Sequence, residues 1–157
     1  MKAFSKDVRV VPILTYASGT ADRTSKVIDT AGYKGVCIVV HFGTIAAGGT
    51  NSLFLQEADA ASDADTLTSG ADLAGSAQTI AADDDNEVKY IDIRNPLKRY
   101  LQLNIDKDTT NACAESAVAY LYNPAVAPVT HAEGTGTGGG ADIAEGEFFV
   151  SPIAGTK

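Results

Sequence analysis

The chain has 157 residues, with 12 Lys and Arg against 20 Asp and Glu, two His, two Cys and no Trp, for a formal charge of −8. Its length suits one domain with a tail, and a pI near 4.6 excludes a protein whose main work is neutralising phosphates, since non-specific nucleic-acid affinity scales with the Lys and Arg that displace counterions. No run approaches the ~20 apolar residues of a membrane helix, and the N-terminus leads into polar sequence, so a soluble, non-exported chain without nucleic-acid or membrane partners is expected.

The charges fall in blocks. Residues 1–34 carry net +3, residues 35–87 net −9 with no Lys or Arg, residues 88–107 net +3 and residues 108–157 net −5. Such polarity suits oriented docking between subunits; the alternative is that basic and acidic strands pair inside one monomer. The 25 Ala and 15 Thr predict a lean core, for which association with other copies would compensate.

In chain order, Val8 to Leu14 is rich in β-branched residues, and its Pro12 lacks a ladder donor, which predicts an edge strand or an irregular entry. Tyr33 to Phe42 is a continuous apolar run, the pattern of a central strand. The segment Ala46 to Asn51 reads as a hairpin connection into Ser52 to Glu57. Residues 58–66 suggest a helical turn, and Leu73 to Ala82 a weak strand. Lys89 to Arg94 alternates cleanly, Asn95-Pro96 punctuates, and Arg99 to Ile105 alternates again. Ala112 to Tyr122 reads as a strand with small side chains on one face and Val118, Tyr120 and Tyr122 on the other, a helix being the alternative. Short strands with Gly- or Asp-rich turns predict an all-β fold, an antiparallel sandwich spanning residues 1–123.

Residues 124–157 break the pattern. Pro124 and Pro128 flank Ala-rich sequence, and Thr135 to Gly140 has the composition of a flexible tether. The apolar group Phe148, Phe149, Val150 and Ile153 follows, which predicts an extended C-terminal arm that docks on a sheet edge or a neighbouring subunit.

Chemistry is sparse. His41 lies in the apolar run and reads as a strand residue, while His131 falls in the tail, and neither sits in a metal-binding spacing. Cys37 and Cys113 lie in apolar segments and read as buried free thiols. Four residues apart on a strand, Cys37 and His41 would share a face at roughly 13 Å, too far for a Cys–His pair. The acidic groups Glu57, Asp59, Asp63, Asp65 and Asp83, Asp84, Asp85, Glu87 lack the pattern of a Ca²⁺ loop and read as solvated turns. No catalytic residue, cofactor or metal is therefore expected, and the chain is not read as an enzyme. The basic cluster Arg94, Lys98 and Arg99, near Tyr90 and Tyr100, has the composition of a contact with acidic patches on a protein.

The run Phe54-Leu55-Gln56-Glu57-Ala58-Asp59, the acidic segment after it, Arg94 to Ile105 with Lys98-Arg99-Tyr100-Leu101, and Ala117-Val118-Ala119-Tyr120-Leu121 leading to Pro124 and Pro128 together resemble tailed-bacteriophage capsid decoration (cement) proteins across about residues 5–130. The resemblance implies a jelly-roll sandwich that forms a trimer or dimer, made in the host cytoplasm and attached to the capsid exterior. It implies the major capsid protein as partner, with Arg94, Lys98, Arg99, Phe148, Phe149 and Val150 as contact residues. A tail or head-to-tail connector component, or a carbohydrate- or Ca²⁺-binding module, are the other classes the sequence leaves open.

Overall fold

The computed structural model describes residues 4–46, 51–107 and 112–129; the predicted arm residues Phe148, Phe149 and Val150 lie outside them. A single helical turn, α1 (Phe4–Asp7), is followed by β1 (Val8–Gly19), β2 (Arg23–Thr24), β3 (Ile28–Asp29), β4 (Tyr33–Ile45), β5 (Asn51–Ala58), β6 (Ala60–Ala61), β7 (Leu67–Thr68), β8 (Ala71–Asp72) and β9 (Gln78–Ile80). A 3-10 turn at Ala82–Asp84 then leads to β10 (Val88–Arg94), β11 (Tyr100–Asp106) and β12 (Cys113–Pro124).

One sheet has the order β1-β12-β4-β10 and the other β2-β11-β5-β8, with β3 also on β11 and β9 also on β5. All pairings are antiparallel. Taking β2 with β3, and β8 with β9, as two interrupted strands, the first strand pairs with the last, the second with the seventh, the third with the sixth and the fourth with the fifth. A long antiparallel ribbon folded back on itself in this way is a jelly roll, two facing sheets with no closed barrel. β6 and β7 form a small separate hairpin.

Each interruption is sealed by a serine. Between β2 and β3, Ser25 N–H donates to Leu103 O at 2.8 Å, and its hydroxyl accepts Leu103 N–H at 3.0 Å. Between β8 and β9, the Ser76 hydroxyl accepts Leu55 N–H at 2.9 Å and donates to Leu73 O at 2.7 Å. The side chain thus replaces the ladder partner that the broken strand withdraws, so the buried amides of β11 and β5 stay satisfied.

The core is less lean than composition predicts. Ile and Leu fill it, with Ile13 and Ile38 from one sheet and Ile28, Leu53, Leu55, Leu101, Leu103 and Ile105 from the other in one core cluster. Among the described alanines, Ala117 and Ala119 of β12 join the core cluster and Ala58 of β5 and Ala114 of β12 are also buried; the outward residues of β12 are Val118, Tyr120 and Tyr122, as the alternation predicts. Many of the remaining alanines lie in connections, where they add to the apolar percentage and not to the core.

Three expectations are corrected. β4 and β5 do not form a hairpin: they belong to opposite sheets, because alternation marks which side of a strand is buried and not which sheet it joins. Residues 58–66 form the β6 half of a small hairpin and bends instead of a helical turn, and the weak strand at Leu73 to Ala82 shrinks to Gln78–Ile80. The edge position of β1, with register shifts after Pro12, and the central position of β4 match the sequence.

Candidate functional site

The two sheets present unlike outer faces. On the β2-β11-β5-β8 sheet the outward residues include Gln56, Gln102, Asn104, Thr24 and Asp72. The loop before β7 roofs part of this face: Gln102 Nε2 donates to Ser25 O and to Asp65 O, each at 2.7 Å, and Gln102 is buried. On the β1-β12-β4-β10 sheet, register places Tyr90, Val39, Val118 and Pro12 in one outward row and Asp92, Cys37, Tyr120 and Val10 in the next. Tyr90 is 65% exposed and Val88 49%. Phe4 of α1 lies on this face, its ring 6.0 Å from that of Tyr120 in an edge arrangement. A sheet face that alternates apolar on both sides, with no described element but α1 over it, is the pattern of a protein-contact surface.

Asp92 is the acid within these rows, and it is tied down. Tyr122 OH donates to Asp92 Oδ1 at 2.8 Å, and burial together with this carboxylate raises the Tyr122 phenol. The Tyr122 ring lies directly over Gly35, where a Cβ would meet the ring carbon Cζ at 2.1 Å. Glycine opposite an aromatic residue lets the ring cover bare backbone in the sheet.

At the end of the sandwich where β10 finishes, the predicted basic residues part ways. Arg99 makes a two-pronged pair with Asp29, Nε to Oδ1 at 2.9 Å and Nη2 to Oδ2 at 2.7 Å, and its guanidinium stacks 4.9 Å from the Tyr100 ring centre. Lys98 pairs with Asp59. The Asp29 carboxyl is held below its usual range by the Arg99 hydrogen bonds, while Asp59 raises Lys98 and Asp29 raises Arg99. These pairs join different charge blocks inside one monomer, so internal pairing accounts for Lys98 and Arg99. Arg94 has no ion pair among the described residues. It lines a cleft of about 450 Å³ with Asp7, Lys34, Asn123, Pro124 and Ala127. Lys34 also borders a neighbouring cleft of about 420 Å³ beside Leu97, which is 90% exposed. Asn95 and Asn123, at φ 53° and 52°, make the left-handed turns that shape this corner, a backbone region that Asn tolerates better than most residues.

At the opposite end lies an ion cluster that sequence reasoning missed. Lys107 Nζ donates to Gly19 O at 3.1 Å, Cys113 O at 2.9 Å and Glu115 Oε1 at 2.9 Å. Glu115 Oε2 is 2.7 Å from the same ammonium, though outside hydrogen-bonding geometry. Arg23 Nη1 reaches Glu115 Oε1 at 2.9 Å. Glu115 is fully buried. The signal was available: Glu115 falls on the inward register of β12 with Cys113, Ala117, Ala119 and Leu121, and an acid there demands an internal cation.

Cys113 is buried, as expected, and its thiol is pushed up to about 12 by burial and then by Glu115. Cys37 departs from expectation: it is only half-buried, on the outer face, with its thiol raised by burial and Asp92. His41 is exposed on the same strand. The acidic turns have structural duties. Asp84 Oδ2 accepts Ala81 N–H at 2.8 Å and Oδ1 pairs with Lys89 at 2.8 Å, Asp85 accepts Ile45 N–H, and Asp63 accepts Asp65 N–H at 2.8 Å. Among the described residues no group of His, Cys, Asp or Glu forms a metal-binding cluster, and no helix is long and apolar enough to cross a membrane.

Fold and surface together define a jelly-roll sandwich in which one sheet presents an outer face with apolar central rows, covered among the described residues by α1 alone. No family model and no curated protein matches the chain. Among solved structures it is similar to the SPBc2 prophage-derived protein YomS, with 10% identity over 76% of this chain and 96% of that one and a TM-score of 0.43. It is also similar to a chain of Bacillus endospore appendages described as disulfide-linked pili, with 8% identity, 76% and 90% coverage and a TM-score of 0.42. Likeness at this level carries no functional argument.

Proposed function

We propose that the chain is a virion structural protein that binds the outer surface of a tailed-phage capsid and stabilises the shell by bridging major capsid protein subunits, acting as a homo-oligomer. The observation that carries this reading is the outer face of the β1-β12-β4-β10 sheet, apolar in its central rows and covered among the described residues by α1 alone, flanked at one corner by Lys34 and by Arg94, which has no ion pair among the described residues. The decoration-protein resemblance of the sequence agrees with it. Burying a large apolar side chain yields about 1.5–3 kcal/mol, and symmetry repeats each modest contact over a shell, so weak single interfaces hold collectively. Arg94 and Lys34 give the patch a sign, favouring acidic patches on the partner and orienting the encounter.

The test is copy number and position in purified particles. Hundreds of copies per particle, with antibody label over the head in negative stain, support shell decoration; about a dozen copies at the neck or tail refute it in favour of a connector. Particles carrying Tyr90→Asp should lose most of their decoration while the variant remains folded.

A further inference from the structure

A jelly roll leaves four sheet edges, and three of them are blunted here. β1 carries Pro12 and two register shifts. The β2/β3 edge is broken into two-residue pieces, and the β8/β9 edge into pieces of two and three. Such devices block pairing with another chain. β10 has no proline, register shift or break: its seven residues run in unbroken register along β4, with Lys89, Asp92 and Arg94 as its charges.

The direction of its free backbone groups follows from two bonds. Phe42 N–H donates to Glu87 O at 3.0 Å, and Asn95 N–H donates to Lys34 O at 2.7 Å. In an antiparallel ladder bonded pairs alternate, so Lys89, Ile91 and Ile93 bond to β4, while Val88, Tyr90, Asp92 and Arg94 turn their N–H and C=O groups outward. Among the described residues the partner of these groups is Gln78, whose Nε2 donates to Tyr90 O at 3.1 Å.

We propose that the open edge of β10 is an acceptor site for the C-terminal segment Glu147-Phe148-Phe149-Val150-Ser151 of a second copy of this chain, added as a fifth antiparallel strand. Four features of the chain single out this occupant. Of the sequence outside the described residues, this segment combines strand-forming residues with a natural stop, Pro152, which cannot extend a ladder. The described chain leaves at the correct end of the edge: Val129 N–H donates to Lys6 O at 2.9 Å, and Ala127 lines the cleft that holds Arg94, the last residue of β10. An antiparallel strand entering from that end with Glu147 opposite Arg94 sets Phe148 and Val150 opposite Ile93 and Ile91 on the core side, and Phe149 and Ser151 opposite Asp92 and Tyr90 on the outer side. Residues 130–146, Gly-rich in their middle, span about 20–25 Å as a flexible coil. The chain's own β10 lies two strands from β12, across β4, so the tether is long enough for either copy's edge and the cis arrangement is one outcome of the test. The inference deepens the oligomeric part of the proposed function, and it is tested on purified protein with no capsid present.

The test compares the full chain with a deletion of residues 141–157 and with Tyr90→Pro, which removes one outward N–H and no bond to β4. Expected are a full-length oligomer that falls to a monomer in both variants, and amides of Val88, Asp92 and Arg94 that exchange at least about 10-fold faster in the deletion. Central amides at Ile38 and Val40 should be unchanged, showing that the sandwich remains folded. Millimolar peptide 144–154 should restore protection at Val88, Tyr90, Asp92 and Arg94 in the deleted chain. Unchanged mass, unchanged exchange at these positions, or protection within a full-length monomer overturns the proposal, the last by placing the arm in cis. Loss of capsid binding with the oligomer intact would count against the capsid reading alone.

Discussion

Replacing Glu115 by Gln tests whether the Lys107–Glu115–Arg23 cluster is a structural requirement of the fold. The substitution is nearly isosteric and keeps an acceptor, but it leaves the Lys107 ammonium, whose side chain is 1% exposed, and the Arg23 guanidinium, 20% exposed, without their counter-charge. Gly19 O and Cys113 O still solvate the ammonium, yet two dipoles do not replace a charge, and breaking a buried pair by removing one partner costs about 3–5 kcal/mol. Against a domain stability of about 5–15 kcal/mol, Tm should fall by roughly 10–15 °C for a chain of this size. Lys107→Met should cost less, because Arg23 at 2.9 Å still pairs with Glu115. The double variant should cost clearly less than the sum of the two, with a coupling within the ~0.5–3 kcal/mol range of contacting residues. Urea melts followed by circular dichroism and tyrosine fluorescence, the chain having no Trp, give all four corners of the cycle. A Glu115→Gln cost below about 1 kcal/mol, or strict additivity in the double variant, refutes the reasoning.

Three further outcomes follow from the same coordinates. Gly35→Ala forces the Tyr122 ring aside and breaks its bond to Asp92, so it should destabilise by about 1–3 kcal/mol and lower the phenol pKa of Tyr122, read by ultraviolet titration; an unchanged titration contradicts the placement of the ring. A thiol reagent at pH 8 should label Cys37 slowly and Cys113, buried with its thiol at about 12, only on unfolding; labelling of Cys113 first is the contrary result. The depressed Asp29 carboxyl contributes stability that is complete above its unfolded value of about 3.8 and is lost as pH falls through the lower folded value. Wild type should therefore exceed Asp29→Asn in urea midpoint at pH 6 by a small, salt-sensitive margin, and the gap should close below about pH 3.8; a gap that widens in acid is incompatible with the pair.

Strand content was legible because period-two alternation is local. β10 and β12 follow directly from it, and so does the outward turn of Tyr120 and Tyr122. Sheet membership was not legible, since nothing in the residues of β4 and β5 says that the chain crosses between sheets; that is fixed by pairings such as β12 with β4, which join residues about 80 positions apart. The interrupted strands were missed for a related reason. Ser25 and Ser76 look like ordinary turn residues until the partner amides of Leu103 and Leu55 are in place.

Charge was legible as blocks, while the internal partners of single residues were not. Lys98 and Arg99 attract attention because they adjoin, but the topology brings Asp59 and Asp29 to them, and a cation already paired has less to offer a partner. Arg94 differs because β10 is an edge: its neighbour on one side is Gly35, with no side chain to answer it, and on the other side no strand pairs with it among the described residues. The same position accounts for the exposure of Tyr90 and for the outward amides of the strand. The apolar face and the edge, whose outward backbone groups have Gln78 as their partner among the described residues, meet along β10, which makes that one strand the place where a lesion should affect self-association and surface attachment together, whereas lesions in Lys98 or Arg99 should register first as stability.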